Sequence, residues 1–335
     1  MPPSVAFAAF RCYHLAMPDE DLKCRFALYL GVALTFLGYT GRYLGIEPLY
    51  NQFFVFAVWS CILLTDNLAY RFKGSSLLIS RTSEFIVLAA WSLAIAGLLE
   101  LLNLRLGAWH YLNQPSTLST RWLGRSLTWA SVLPSLFIMA ELFQSFGLFR
   151  GFRSKTFKTG TLLLNSFYAA GAVLLCLALA VPGLFWPLAL PAVFFLAEPL
   201  NLRLGLPSLL REWEGGLPGK TLRLAAAGLT CGVFWNLWNK AAGGGWKYEL
   251  PAPLSAAPAA VYAGFGMLAL AAYSLYSLAS YLRAGKGWEE ITWPMPGKPP
   301  ALAAQGLAAA LLLITSYLAL RAVDSYTIKL FLGWV

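Results

Sequence analysis

The sequence predicts an all-α, polytopic transmembrane helix bundle, and three observations predict it. Hydrophobic residues make up 59% of the 335 positions and charged residues only 12%, where a soluble domain carries about 25% charged. The apolar residues gather into runs of about 20, the length a helix needs to cross the hydrocarbon core. Lys and Arg fall unevenly on alternate sides of those runs, as the positive-inside rule requires.

In chain order, the first 25 residues, MPPSVAFAAFRCYHLAMPDEDLKCR, hold no long apolar core and no small-residue cleavage site. They read as a cytoplasmic N-terminal segment (1–24) and not as a signal peptide. A single transmembrane domain then fills 25–335, with nine spans near 25–43, 50–70, 83–105, 122–149, 160–183, 186–204, 221–240, 256–283 and 300–321. The sixth is short and carries Pro187, Pro191 and Pro199. The tail DSYTIKLFLGWV is too short to cross and is expected at the interface. With the N-terminus inside, the inner segments hold 17 Lys and Arg and the outer ones 8. That places the N-terminus in the cytoplasm, with a bacterial inner membrane as the expected location.

One phrase occurs twice. LELLNLRLG (99–107) and AEPLNLRLG (197–205) share Glu, Asn and Arg at one spacing, in a chain where Asn and Arg are scarce. The third span would carry its copy at the outer end, the sixth at the inner end. GRSLTWASVLPSLFIMAELF (124–143) and GKTLRLAAAGLTCGVFWNLW (219–238) also match loosely, setting Glu141 opposite Asn236. Together they suggest an inverted repeat, an arrangement that forms sites at the repeat interface. Two Leu-rich helix ends that merely converged are the plain alternative.

Four segments pair polar residues three apart, hence on one helix face: Glu100 with Asn103, Glu141 with Gln144, Glu198 with Asn201, and Asn236 with Asn239. A charge near the bilayer centre costs roughly 2.5–3.5 kcal/mol, so these carboxylates should face a cavity or one another. Their structural role would be to accept hydrogen bonds that fasten the bundle. Their functional role would be acid–base chemistry, with Glu100 and Glu141 as acid or base, oriented by Asn103 and Asn236.

Two outer loops are alike: Trp109-His110-Tyr111 after the third span and Trp246-Lys247-Tyr248 after the seventh. They read either as an interfacial aromatic belt or as the mouth of a substrate cavity. Trp109, Tyr111 and Trp246 would then stand above a cavity lined by Glu100, Trp235, Asn236, Trp238 and Asn239, and Glu198 and Asn201 are further candidate binding residues. The loop 206–220 is amphipathic and should lie on the inner interface, and the basic loop RGFRSKTFK (150–158) reads as a topology determinant.

The five cysteines are irregularly spaced and the two histidines, His14 and His110, lie far apart. No metal site and no cofactor is expected, and no glycine-rich phosphate loop or hydrolytic triad is present. The net charge of +10 is expected to meet anionic head groups and not nucleic acid.

From Glu100 to Gln144 the order of features is an acid, Gly107-x-Trp109-x-Tyr111, a polar loop, then Leu133-Pro134 leading to Glu141 and Phe143. This stretch resembles the integral-membrane carotenoid (lycopene) cyclase domain. The resemblance implies acids on helices that protonate a polyene without consuming a redox cofactor. A buried carboxyl kept neutral could supply that proton, and aromatic faces could steady the cation. The leading expectation is therefore a lipid-phase enzyme acting on an isoprenoid or long-chain lipid. The alternatives are a proton-coupled secondary transporter, with Glu198 as coupling group, and a non-catalytic subunit of a membrane complex.

Overall fold

The structure is a computed structural model that describes residues 18–251, 260–283, 286–290 and 301–329. The expected start of the eighth span at 256–259, the first 17 residues and the end of the tail lie outside the described residues.

Each expected span falls on a helix: α1 (Pro18–Tyr43), α2 (Phe53–Lys73), α3 (Thr82–Leu106), α4 (Leu118–Ser145), α5 (Thr161–Ala180), α6 (Ala189–Arg203), α8 (Gly219–Ala241), α9 (Ala260–Ser280) and α10 (Leu302–Ala322). Helical turns at Pro182–Phe185 and Trp186–Leu188 lead into α6, so its prolines sit at the entry and near the end of a continuous segment. The amphipathic inner loop forms the short helix α7 (Leu209–Glu214). Eight of the long helices, α6 counted with its leading turns as Pro182–Arg203, are long and apolar enough to cross a membrane. The exception is α8, which carries Arg223, Asn236 and Asn239. Its 23 residues still extend about 35 Å, and its two ends reach the same two faces as those of α3.

Those faces are fixed by contacts between helix ends. At the basal end, Tyr70 near the end of α2 donates to Glu20 at the start of α1 (3.2 Å), and Lys73 meets Glu141 at the end of α4 (2.9 Å). Arg283 after α9 pairs there with Glu84 at the start of α3. At the opposite end, β1 (Trp109–Leu112) pairs antiparallel with β2 (Gly245–Tyr248), Trp109 facing Tyr248 and Tyr111 facing Trp246. Arg42 at the end of α1 donates there to the Ala241 carbonyl (2.5 Å). The described chain therefore enters at the basal end and leaves at the strand end.

Buried side chains concentrate in the middle of the bundle. In α2 and α4, 67% of the most apolar stretch is buried, against 22% in α1, 17% in α5 and 22% in α10. The second group faces outward with apolar surface, as a lipid-contacting ring does. Between helices in lipid, close packing and hydrogen bonds supply the association. A Cβ at Gly228 would strike the Phe265 carbonyl, and one at Gly232 the Phe265 ring, so those glycines let α8 and α9 touch.

The hydrogen bonds disclose a further repeat, carried by contacts and not by the LNLRLG phrase. The two LNLRLG copies do lie at opposite ends, but their side chains do different work. The contacts that recur relate α2 to α6 and α3 to α8, pairs that run in the same direction. Asp66 near the end of α2 accepts from the Ser76 hydroxyl (2.7 Å) and the Leu78 amide (3.0 Å). Glu198 near the end of α6 accepts from the Ser208 hydroxyl (2.9 Å) and the Leu209 amide (3.0 Å). In each case the hydroxyl is ten residues after the acid, within Ser-Leu-Leu. Likewise Asn103 holds the amide (3.2 Å) and carbonyl (2.9 Å) of Trp109, and Asn239 holds those of Trp246 (2.9 and 2.7 Å). Helices α1–α4 are thus echoed by α5, α6, α8 and α9 as a direct repeat, with α10 added.

Candidate cavity at the strand end

Six and three residues before its own end, α3 buries Glu100 and Asn103 on one face. Gly107 ends the helix at φ +58, a left-handed conformation that glycine adopts without a Cβ clash. The chain turns back, and the Asn103 amide fixes the Trp109 backbone so that the strand returns past its own helix. This return brings two donors onto one carboxylate. Tyr111 donates its hydroxyl to Glu100 Oε1, and the Trp109 indole donates to Oε2 (3.1 Å). Arg125 of α4 lies over the Tyr111 ring, 4.1 Å from its centre. One Arg125 nitrogen donates to Gln114 (3.0 Å), and the other, Nη1, is buried with no hydrogen-bond partner among the described residues. Burial, then the Glu100 charge, push the Tyr111 phenol well above its usual pKa. The phenol therefore stays a proton donor at any physiological pH.

Glu100 and Tyr111 form part of the wall of a cavity of about 240 Å³. The rest of the wall is mostly apolar and aromatic: Phe54, Trp129, Trp235, Trp246, Tyr248 and Phe265, with Leu190 and Leu268 beyond. Both halves of the repeat contribute, α3, β1 and α4 from the first and α6, α8, β2 and α9 from the second. Helix α4 is opened beside it. The Ser92 hydroxyl enters the backbone ladder, accepting from the Leu133 amide (2.9 Å) and donating to the Trp129 carbonyl (2.5 Å). That insertion lies one residue before Pro134, where the helix already lacks an amide donor.

The other expected site residues go elsewhere. Glu141 is at the basal end, accepting from Lys73 (2.9 Å) and Arg81 (2.5 Å). Arg81 immediately precedes α3, so Glu141 and Glu100 are separated by about 28 Å along that helix and cannot act on one atom. Glu198 also sits at the basal end. Besides Ser208 and the α7 amides it accepts from Ser274 (2.8 Å), and Asn201 donates to the Ser274 carbonyl (2.9 Å). Asn236 donates to its own helix at Gly232 (2.8 Å). Trp238 stacks on Phe234, 5.5 Å between centres. Asn103 and Asn239 act on the cavity only by holding the backbones of Trp109 and Trp246.

Among the expected residues, Glu100, Trp109, Tyr111, Trp235 and Trp246 meet in the cavity. Phe265, Leu268 and Trp186 complete it and carried no sequence signal beyond their apolarity. Among the described residues no three His, Cys, Asp or Glu gather where a metal could be held. In comparisons with protein-family models, curated proteins and solved structures, the chain matches none.

Proposed function

We propose that this multi-pass membrane protein is a lipid-phase enzyme, and that Glu100 exchanges a proton with an isoprenoid or other long-chain lipid lying in the strand-end cavity. The observation that carries this reading is the placement of one buried carboxyl, held by a phenol and an indole, in the wall of an otherwise aromatic cavity. Side-chain donors hold Glu100, and side chains can reorient when a substrate atom arrives. Glu100 itself gives the proton and takes one back, Tyr111 keeps its hydroxyl on Oε1 to orient the carboxyl, and the aromatic faces steady positive charge on the chain. The isoprenoid class follows the resemblance of residues 100–144 to the carotenoid cyclase domain. Glu141, which that resemblance would also employ, is a basal anchor in this reading. Lys and Arg, more numerous on the basal side, orient that end toward the cytoplasm of a bacterial inner membrane.

Deuterium tests it. The purified protein, reconstituted with total polar and neutral lipids of its expression host, is incubated in D2O and the lipids are weighed by mass spectrometry. A lipid class that gains deuterium with wild type, and not with Glu100→Gln, is the expected result. No lipid gaining deuterium above a protein-free control would contradict the proposal.

Transport is the second reading, and the direct repeat favours it, because parallel repeats build several transporter folds. It would require Glu100 and Glu198 around one midplane site, whereas they lie near opposite ends. Proton-driven uptake lost in Glu198→Gln, with the fold intact, would move the function there.

A further inference from the structure

A second concavity, of about 480 Å³, lies at the basal end between the end of α2, the turn after α4 and the start of α8. Five basic side chains line it, Lys73, Arg150, Arg153, Lys220 and Arg223, against one carboxylate, Glu212. Two of the five are already paired. Lys73 meets Glu141 (2.9 Å) and Glu290 (2.7 Å), and Lys220 meets Glu212 (3.0 Å) and Glu289. Arg150, Arg153 and Arg223 form no ion pair among the described residues. Helix α8 begins in the same wall with no side chain accepting from its first amides, which adds its positive end to the field.

Other lining residues are of opposite character. Phe72, Leu148, Phe152 and Leu217 line the same cleft at 52, 40, 58 and 41% exposure, beside Arg150 and Arg153, which are exposed as well. Basic residues that only set topology need no shared concavity, and a site for a small soluble anion needs no apolar lining. Arginine forks suit phosphate oxygens, and exposed Phe and Leu at an interface suit hydrocarbon.

We propose that this cleft binds the phosphate of an anionic membrane lipid, with Arg150, Arg153 and Arg223 on the head group and the apolar lining against its chains. A soluble phosphate compound offers the same polar chemistry and is separated from the lipid by the test. The proposal stands independently of the Glu100 cavity.

The test uses the full chain in nanodiscs of equal phosphatidylglycerol and phosphatidylcholine, with retained lipids counted by native mass spectrometry. Wild type should retain phosphatidylglycerol over phosphatidylcholine by about tenfold. Arg150→Gln/Arg153→Gln/Arg223→Gln should abolish the preference, while Arg→Lys at the same positions keeps part of it. Retention unaffected by millimolar inorganic phosphate assigns the site to lipid, and displacement assigns it to the phosphate group from either source. Equal retention of both lipids by wild type, or an unchanged preference in the Gln triple variant, would overturn the proposal. Should the triple variant fail to fold, Arg223→Gln alone is read by the same ratio.

Discussion

Glu198 and Glu100 are both buried carboxylates near helix ends, and their partners set them apart. Glu198 accepts two hydroxyls and the amides of Leu209 and Leu210. It caps α7 and ties α6 to α9 through these four bonds. Glu100 accepts from two side chains, Tyr111 and Trp109, beside an open cavity. A carboxylate held by backbone amides is committed to the fold, because moving it unmakes a helix start. One held by side chains next to a void can change partners. Burial and charge alone would have ranked the two equally.

Removing the committed carboxylate should do the most damage. Glu198→Ala strands the Ser208 hydroxyl and two amides in a buried site, while Ser274 falls back on the Leu270 carbonyl, and a loss of ~3 kcal/mol is expected. Thermal unfolding in detergent measures it, and a stability near wild type would erase the contrast with Glu100. Next comes Glu141→Ala, which leaves Arg81 without its carboxylate and Lys73 with only Glu290. About 2 kcal/mol should be lost, with the lipid chemistry unchanged. Glu100→Gln should cost only about 1 kcal/mol, since the amide oxygen keeps one donor, yet it should stop proton exchange. A larger stability loss there than in Glu198→Ala would reverse the comparison.

The smallest effect is one of pH at the strand end. His110 Nδ1 lies 3.0 Å from Glu249 Oε1, and Lys329 is 3.0 Å from the same atom. The Lys329 hydrogen bond and charge hold the Glu249 carboxyl below its ordinary 4.5. Burial, then Lys329, hold His110 below its ordinary 6.5, against the pull of Glu249. Both shifts are depressions, so both contributions are full above the ordinary values and fade as pH falls through the folded ones. Protection of the Lys329 amide, which donates to the Tyr111 carbonyl (3.1 Å), should therefore weaken slightly between about pH 7 and about pH 4. Hydrogen exchange corrected for its intrinsic pH dependence reads this, and protection that rises on acidification would contradict it.

Much of this was legible in the sequence. Runs of apolar residues located every long helix, because in lipid the backbone must satisfy itself and length then follows from bilayer thickness. The Trp-x-Tyr pair was visible as two similar loops, and Glu100, Trp109 and Tyr111 were set in one order of features by the resemblance to the carotenoid cyclase domain. The direct repeat of contacts went unread because LNLRLG is a phrase of letters, whereas the shared contacts are carried by sparser marks: an acid ten residues before Ser-Leu-Leu, and an Asn six or seven residues before Trp. Glu141 was misplaced for another reason. Helical spacing places a side chain on a face, and only the crossing of α4 with the α2–α3 turn delivers Lys73 and Arg81 to it. Phe265 and Leu268 had no mark at all, since any apolar residue could have filled those places.

The central claim is that Glu100 acts on a lipid while Glu141 and Glu198 hold the bundle. The most direct test is mass spectrometry of lipids extracted from gently purified wild type, Glu100→Gln and Glu141→Gln, compared side by side. The expected result is a distinct isoprenoid or long-chain lipid that is enriched in wild type and Glu141→Gln and altered in mass or amount only in Glu100→Gln. Bulk phospholipid identical in all three, or a change confined to Glu141→Gln, would contradict the account.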